Sequence, residues 1–496
     1  MDDLAYASIA QLQAAMTSGA LSAEAVTQAC LSRIGQLDGQ IRAVVEVNPE
    51  AVAIAAALDG ERRAGRVRGP LHGIPVLLKD NIDTADRMMT TAGSLALVGP
   101  APAADATVAL RLRAAGAVIL GKTNLSEWAN FRGHRSSSGW SARGGQTRNP
   151  HALTRSPGGS SSGSGAAVAA GFAPAALGTE TDGSIVSPAT CCGVVGLKPT
   201  VGLTSRAGLI PISRSQDSVG PLCRSVADAA AVLAALCGAD PRDAATSERA
   251  PADFTPCLRE DGLRGARLGV PRSLWGRNPH AARVGEAALQ AMREAGAVLV
   301  DPVEIPSSAE LRGDGSEFVV MRHEFRAGLN AYLEGRRGVA VRSLAELIDF
   351  NRAQAARELR WFGQETLVEA EGSGSLQDRA YLEALERSRS LGGARGIDAA
   401  LEAHGLDALV APTGGPAWAI DLLLGDGPQA GTSSLAARAG YPLLSVPAGA
   451  VAGMPLNLTF MGRAWSEPVL IRLGYAFERA TRAWIAPSLR ADLAPG

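Results

Sequence analysis

Short apolar runs that stop at a turn residue or a charge alternate along this chain with stretches of helical periodicity, and this alternation restricts the fold more than any other feature. Gly73-Ile-Pro-Val-Leu-Leu-Lys79 and Ala117-Val-Ile-Leu-Gly121 read as strands, with helical spacing over 106–115 before the second. Residues 8–58 carry apolar side chains at helical spacing (Ala25, Val26, Cys30, Leu31, Ile34), with Ser22 as an N-cap. Residues 171–178 return the chain to the sheet, 225–236, 281–295 and 341–404 read as helical, and 298–300 and 408–411 as buried strands. The expected fold is α/β: a single large mixed β-sheet covered by helices on both faces. One domain is expected over 1–496, with a helical N-terminal layer (about 8–58), a core (about 70–240), a helical region over a cleft (about 240–400) and a returning sheet and helix (about 405–485). The stretch 239–256 lacks periodicity and reads as a surface loop.

Composition narrows the class of function. Hydrophobic residues make up 46% and aromatics only 4%, so the core is built from Ala, Val, Leu and Ile, and bulk disorder is excluded. Lys and Arg number 48 against 49 Asp and Glu, which gives no electrostatic reason for a nucleic-acid or anionic-membrane partner. Apolar runs are interrupted well before the roughly 18 residues of a membrane span. Met1-Asp2-Asp3-Leu4 lacks a basic leader, so the expected location is cytoplasmic. Six cysteines without a CxxC pair and six histidines without HExxH or HxH spacing point to no metal, no organic cofactor and no disulfide framework.

Two familiar patterns fail on context. Gly116-Ala-Val-Ile-Leu-Gly-Lys-Thr123 satisfies GxxxxGK[ST], but a phosphate loop must curl its backbone N–H groups around an anion, whereas Ala-Val-Ile-Leu is itself a strand. Gly159-Ser-Ser-Ser-Gly163 satisfies the GxSxG elbow centred on Ser161, yet the residues before it are polar and end in Pro157 instead of forming a strand. The histidines read as surface or structural residues, so a hydrolytic site here has to work without one.

Three segments meet that requirement together. Lys79 ends an apolar strand; if buried, desolvation lowers its pKa and supplies a neutral amine, and if exposed it is a strand end reaching water. Ser160 lies in Ser156-Pro-Gly-Gly-Ser160-Ser-Ser-Gly-Ser-Gly, before an Ala-rich helix; an N-cap is the plainer reading. Ser184 lies in Gly178-Thr-Glu-Thr-Asp-Gly-Ser184-Ile-Val, where successive N–H groups can converge on an oxyanion, or simply form a turn before Pro188.

With these residues in place the chain resembles the amidase signature family: a lysine after a Gly-Ile-Pro strand, a GGSS tract and a GS[IV] serine 24 residues beyond Ser160. The resemblance extends through Gly121-Lys-Thr-Asn-Leu-Ser-Glu-Trp128, Gly193-Val-Val-Gly-Leu-Lys-Pro-Thr200, Asp217-Ser-Val-Gly-Pro221 and Gly440-Tyr-Pro-Leu-Leu-Ser-Val-Pro447. It implies Ser184 as nucleophile, Ser160 as a bridging serine often preceded by a cis peptide bond, and Lys79 as base. It further implies an oxyanion hole from the N–H groups of Thr181, Asp182, Gly183 and Ser184.

The chain departs from the pattern in one place. Many members read Thr-Asp-Thr-Gly-Gly-Ser-Ile-Arg, whereas here Asp182 enters and Val186 replaces the arginine. A carboxylate beside an oxyanion loop has to point away or be compensated. Trp128-Ala-Asn-Phe-Arg132 and Ser138-Gly-Trp-Ser-Ala-Arg143 are similar to the peptide amidase subgroup, which removes the C-terminal amide of peptides. The substrate implied is therefore a small amide or short peptide amide. Trp128, Ala129 and Trp140 are candidate pocket residues, although each tryptophan reads equally well as core packing, and Trp275, Phe325 and Trp361 of the 240–400 region are candidates to cap the cleft. Alternatives are a general aryl or aliphatic amidase, a carbamate or ester hydrolase, an amidotransferase A-type subunit that needs partners, or a scaffold that has lost activity. The leading reading carries no obligatory protein partner.

Overall fold

The computed structural model describes residues 2–248, 253–427 and 431–493. Met1, the 249–252 part of the expected loop and the last three residues of the expected domain lie outside the described residues.

Eleven strands join in one mixed sheet: β1 Val44–Val47, β2 Pro75–Lys79, β3 Val118–Thr123, β4 Ala175–Glu180, β5 Val195–Lys198, β6 Ser218–Cys223, β7 Arg267–Gly269, β8 Val298–Val300, β9 Ala408–Pro412, β10 Leu443–Val451 and β11 Met454–Met461. Their order across the sheet is β1-β3-β2-β4-β6-β5-β10-β11-β9-β7-β8. β2 runs parallel to both β3 and β4, whereas β4 to β6 and β10 to β11 are antiparallel. Every residue of β2, β3, β4, β5 and β6 is buried. Side chains alternate between faces along a strand, so a strand buried throughout is covered on both sides. The cover comes from helices such as Ser162–Ala169, Val186–Cys192, Val226–Leu236 and Glu467–Thr481.

Local signals hold where a side chain can satisfy the backbone nearby. Ser22 accepts from Ala25 N at 3.0 Å and Ser225 from Asp228 N at 3.1 Å, each starting a helix. The phosphate-loop pattern is a strand: β3 runs through Gly121 and Lys122 to Thr123. Three expectations change. The N-terminal layer contains β1, an edge strand paired antiparallel with β3. β8 is an edge strand with Val298 47% exposed, because only β7 flanks it, so it is not a buried strand. The 341–404 region is helical but broken into short pieces, including Leu344–Ala353, Glu365–Glu371 and Arg379–Gly392, with glycines 363, 372 and 374 between them.

Two of the three aromatics expected to cap the cleft serve packing instead, and the third does not line it. Phe325 is buried against Phe131, with ring centroids 5.0 Å apart. Trp275 packs in the main core against Gly285, where an added Cβ would approach its ring to 2.8 Å. Trp361 is half-buried beneath the Arg360 guanidinium. Among the described residues no helix is long and apolar enough to cross a membrane, and no cluster of His, Cys, Asp and Glu is arranged to hold a metal ion.

Candidate active site

The parallel pair β2 and β4 brings the first two candidates together. Lys79 ends β2 with its whole side chain buried, and Nζ donates to Ser160 Oγ at 2.8 Å, Thr179 Oγ1 at 2.9 Å and Thr179 O at 3.2 Å. All three partners are neutral oxygens. Burial therefore dominates and lowers the Lys79 pKa to about 7, against an opposing pull from Asp217 and Glu180. An amine with that pKa is partly unprotonated near neutral pH and has a lone pair to offer Ser160.

Ser160 reaches this position through a turn with no room to spare. The Gly159–Ser160 peptide is cis. A Cβ on Gly159 would stand 2.5 Å from Ser126 Oγ and 2.8 Å from Ser138 Oγ, so only glycine fits. Ser161, the centre of the GxSxG match, is structural: it is buried, and its Oγ donates to Thr179 O at 3.1 Å. Its N–H donates to Ser184 O at 3.1 Å, which ties the glycine-serine tract to the third candidate.

The loop after β4 is held from both sides. The buried Glu180 carboxylate accepts from Ile185 N at 2.7 Å and Val186 N at 3.0 Å, while Thr181 Oγ1 donates to Asp217 at 2.5 Å. Burial raises the Asp217 pKa to about 6, with the Thr181 hydroxyl and the N–H groups of Ile212 and Ser213 pulling it down. Gly183 adopts φ +81°, a left-handed conformation that a side chain would strain. Among the described residues, the N–H groups of Thr181, Asp182, Gly183 and Ser184 donate to no protein acceptor, whereas the next two are taken by Glu180. Four successive free donors beside a serine form an anion-accepting surface. The Asp182 carboxylate is held by two hydroxyls: it accepts from Ser433 at 2.5 Å and Ser434 at 2.7 Å.

A cleft of about 360 Å³ opens over this loop. Its lining includes Gly159, Asp182 and Gly183 from the glycine-serine tract and the loop after β4, and Thr413, Trp418 and Ser433 from the C-terminal part of the chain. Trp128, Ala129 and Trp140 do not line it. Trp128 is 2% exposed in a core cluster with Phe131 and Phe325, and half-buried Ala129 packs against the same cluster. Trp140 is 5% exposed, edge-on to Phe362 with the Arg132 guanidinium over both rings. Their neighbours reach the cleft instead. Trp128, Ala129 and Asn130 have φ of 50°, 53° and 67°, a left-handed run that brings the Asn130 amide to Ser138 Oγ at 3.1 Å, and both of these residues line the cleft.

The C-terminal part of the lining escaped sequence reasoning altogether. Trp418 lines the cleft with its indole N–H donating to Asp426 at 2.7 Å, and Asp426 also accepts from Ser138 N at 2.9 Å. The signal available was a lone tryptophan among Gly and Pro after a strand, a loop position where a large ring needs a reason to be.

The comparisons with known proteins agree with this geometry. The pattern of the family described as Amidase matches residues 25–471. A peptide amidase solved in complex with the competitive inhibitor chymostatin is 55% identical and superposes with a TM-score of 0.94, over 97% of this chain and 99% of that one. A probable amidase of Arabidopsis thaliana is 41% identical over 487 residues, 96% of this chain and 90% of its own length. The A-type subunit of a glutamyl-tRNA(Gln) amidotransferase from Chloroflexus aurantiacus is 37% identical over 97% of this chain and 98% of its own length. Matched from residue 25 to residue 471 and superposing on a solved peptide amidase, this chain belongs to the amidase family and is an amide-hydrolysing enzyme.

Proposed function

We propose that the enzyme cleaves the C-terminal carboxamide of peptides or N-acylated amino acid amides, releasing ammonia and leaving the acid. The observation that carries this reading is the buried Lys79 amine, with a pKa near 7, 2.8 Å from Ser160 Oγ. In this reading Ser184 Oγ attacks the amide carbon as its proton passes to Ser160, whose own proton passes to the Lys79 lone pair. The oxyanion meets the N–H groups of Thr181, Asp182, Gly183 and Ser184, where losing one donor costs about 3 kcal/mol of transition-state stabilisation. The C–N bond then breaks, and the proton returns from Lys79 through Ser160 to the departing nitrogen. Water attacks the Ser184 ester by the same relay and releases the acid.

The 55% identity to a peptide amidase over nearly the whole chain supports the peptide amide as substrate class, against 37% to an amidotransferase component. The long sheet running through the described residues supports reading the chain as one domain that acts without an obligatory partner. Six free cysteines suit a reducing cytoplasm.

The test is ammonia release by purified protein from dipeptide amides, free dipeptides and simple aryl amides, with Ser184→Ala alongside. Release confined to peptide amides and lost in the variant is expected. Equal turnover of simple amides would make this a general amidase, and no turnover without added protein partners would favour the amidotransferase-type reading.

A further inference from the structure

We propose that Asp182 is a specificity-determining residue that rejects carboxylates, so that the enzyme binds an amide but expels the acid it makes. The inference rests on the functional reading above and deepens it.

The cleft gives the first reason. Its ionisable carboxyl groups are Asp182 and Asp426, and among its described lining residues there is no lysine or arginine. A site meant to hold a substrate carboxylate would normally offer a guanidinium or ammonium. This one offers backbone N–H groups and serine hydroxyls, which suit a neutral carbonyl.

The placement of Asp182 gives the second. Its own N–H belongs to the free run facing the reacting carbonyl. Covalent geometry keeps a carboxylate within about 5 Å of its own backbone nitrogen. The side chain is also fixed, since both carboxylate oxygens are engaged by Ser433 and Ser434. A Cβ on Gly183 would come 3.1 Å from Ser433 Oγ, so Ser433 lies close to the loop. The charge is therefore held at short range, well inside the roughly 8 Å over which salt screens exposed charges.

Such a charge also opposes the tetrahedral oxyanion, and proton bookkeeping separates the two cases. When the oxyanion forms, the Ser184 proton has moved through Ser160 to Lys79, so the reacting group and base together are a neutral ion pair. When the product acid has lost its proton to solvent, or a free carboxylate enters from solvent, with Lys79 unprotonated, the same space holds one net negative charge. Asp182 acts on a dipole in the first case and on a monopole in the second, and repulsion is much stronger in the second. The same logic excludes peptides ending in a free carboxylate, the most abundant competitors of a peptide amide.

Equilibrium binding tests this without relying on turnover. Titration calorimetry would compare an N-acyl dipeptide acid with the corresponding neutral peptide alcohol, on wild type, Asp182→Asn and Ser433→Ala, at low and moderate salt. The expected result is at least tenfold tighter acid binding by Asp182→Asn, with alcohol binding changed less than twofold and the gain shrinking as salt rises. Ser433→Ala removes one hydrogen bond but keeps the charge, so its acid-to-alcohol ratio should stay at the wild-type value. Acid binding unchanged in Asp182→Asn, or acid and alcohol changing together, would overturn the inference while leaving the amidase reading intact. Failure of both ligands to bind any of the three proteins would instead overturn the peptide-amide reading on which it stands.

Discussion

Two buried lysines on neighbouring parallel strands share neutral hydrogen-bond partners but differ in the acids around them. Among the described residues, the Lys79 amine on β2 hydrogen-bonds to neutral oxygens of Ser160 and Thr179, with Asp217 and Glu180 as its charged neighbours. Lys122 on β3 donates to Ile82 O and Thr90 Oγ1 and is surrounded by the carboxylates of Asp80 and Asp83, with Arg143 bridging Asp80 and Glu46. Burial lowers the pKa of both, but acid neighbours counter it most directly at Lys122. A lysine embedded among acids is an element of the fold. Lys79, with only the more distant Asp217 and Glu180 as charged neighbours, is left ready to gain or lose a proton, and the difference lies in the charges around each amine, not in its burial or its hydrogen bonds.

The strongest way to break this comparison is to delete each amine. Lys79→Met should lower kcat/KM for peptide amides by about four orders of magnitude, since members of a catalytic relay fail as a unit. The same variant should be more thermally stable. The folded pKa of Lys79 lies near 7 against 10.5 for an ordinary lysine, so the unfolded chain binds more protons between those values and wild-type stability rises with pH across that window. The gain in Tm from Lys79→Met should accordingly be largest below pH 7 and shrink as pH approaches 10.5, as scanning calorimetry at several pH values would show. Lys122→Met should do the reverse and destabilise the fold by about 3–5 kcal/mol, because buried acids lose their cation; denaturant unfolding measures it. A similar stability change in both variants would erase the distinction.

Smaller changes sharpen it. Thr179→Val removes one oxygen from Lys79 and the acceptor for Asn81 Nδ2, and should cost about tenfold in kcat with little change in KM, because it touches the base and not the cleft. Trp418→Phe leaves a smaller aromatic ring in the wall and loses the hydrogen bond to Asp426, so KM should rise about threefold at constant kcat.

How much of this was legible in the sequence follows from where the partners lie. Lys79 and Ser160 read locally as a strand end and an N-cap; only together with Ser184, and through the resemblance to the amidase signature family, could they be singled out, whereas the mixed sheet followed from alternation. The cleft was not legible because a tryptophan suits a pocket wall and a packed core equally well. Trp128 and Trp140 went into the interior with Phe131 and Phe362, and their small neighbours Asn130 and Ser138 reached the cleft through a left-handed run that no periodicity marks. The wall of Trp418, Ser433 and Ser434 joins the site from some 250 positions beyond Asp182, through long-range packing of the sheet, and no motif records such a contact. The compensation that Asp182 required was foreseen in kind, but not the residues that supply it.

The central claim is that Lys79 works as an unprotonated amine, and the pH dependence of kcat/KM for ammonia release from a dipeptide amide tests it most directly. Activity should rise with a single ionisation near pH 7 and level off above it, as Lys79 loses its proton. A profile flat from pH 5 to 9, or a rising limb that survives in Lys79→Met, would contradict it.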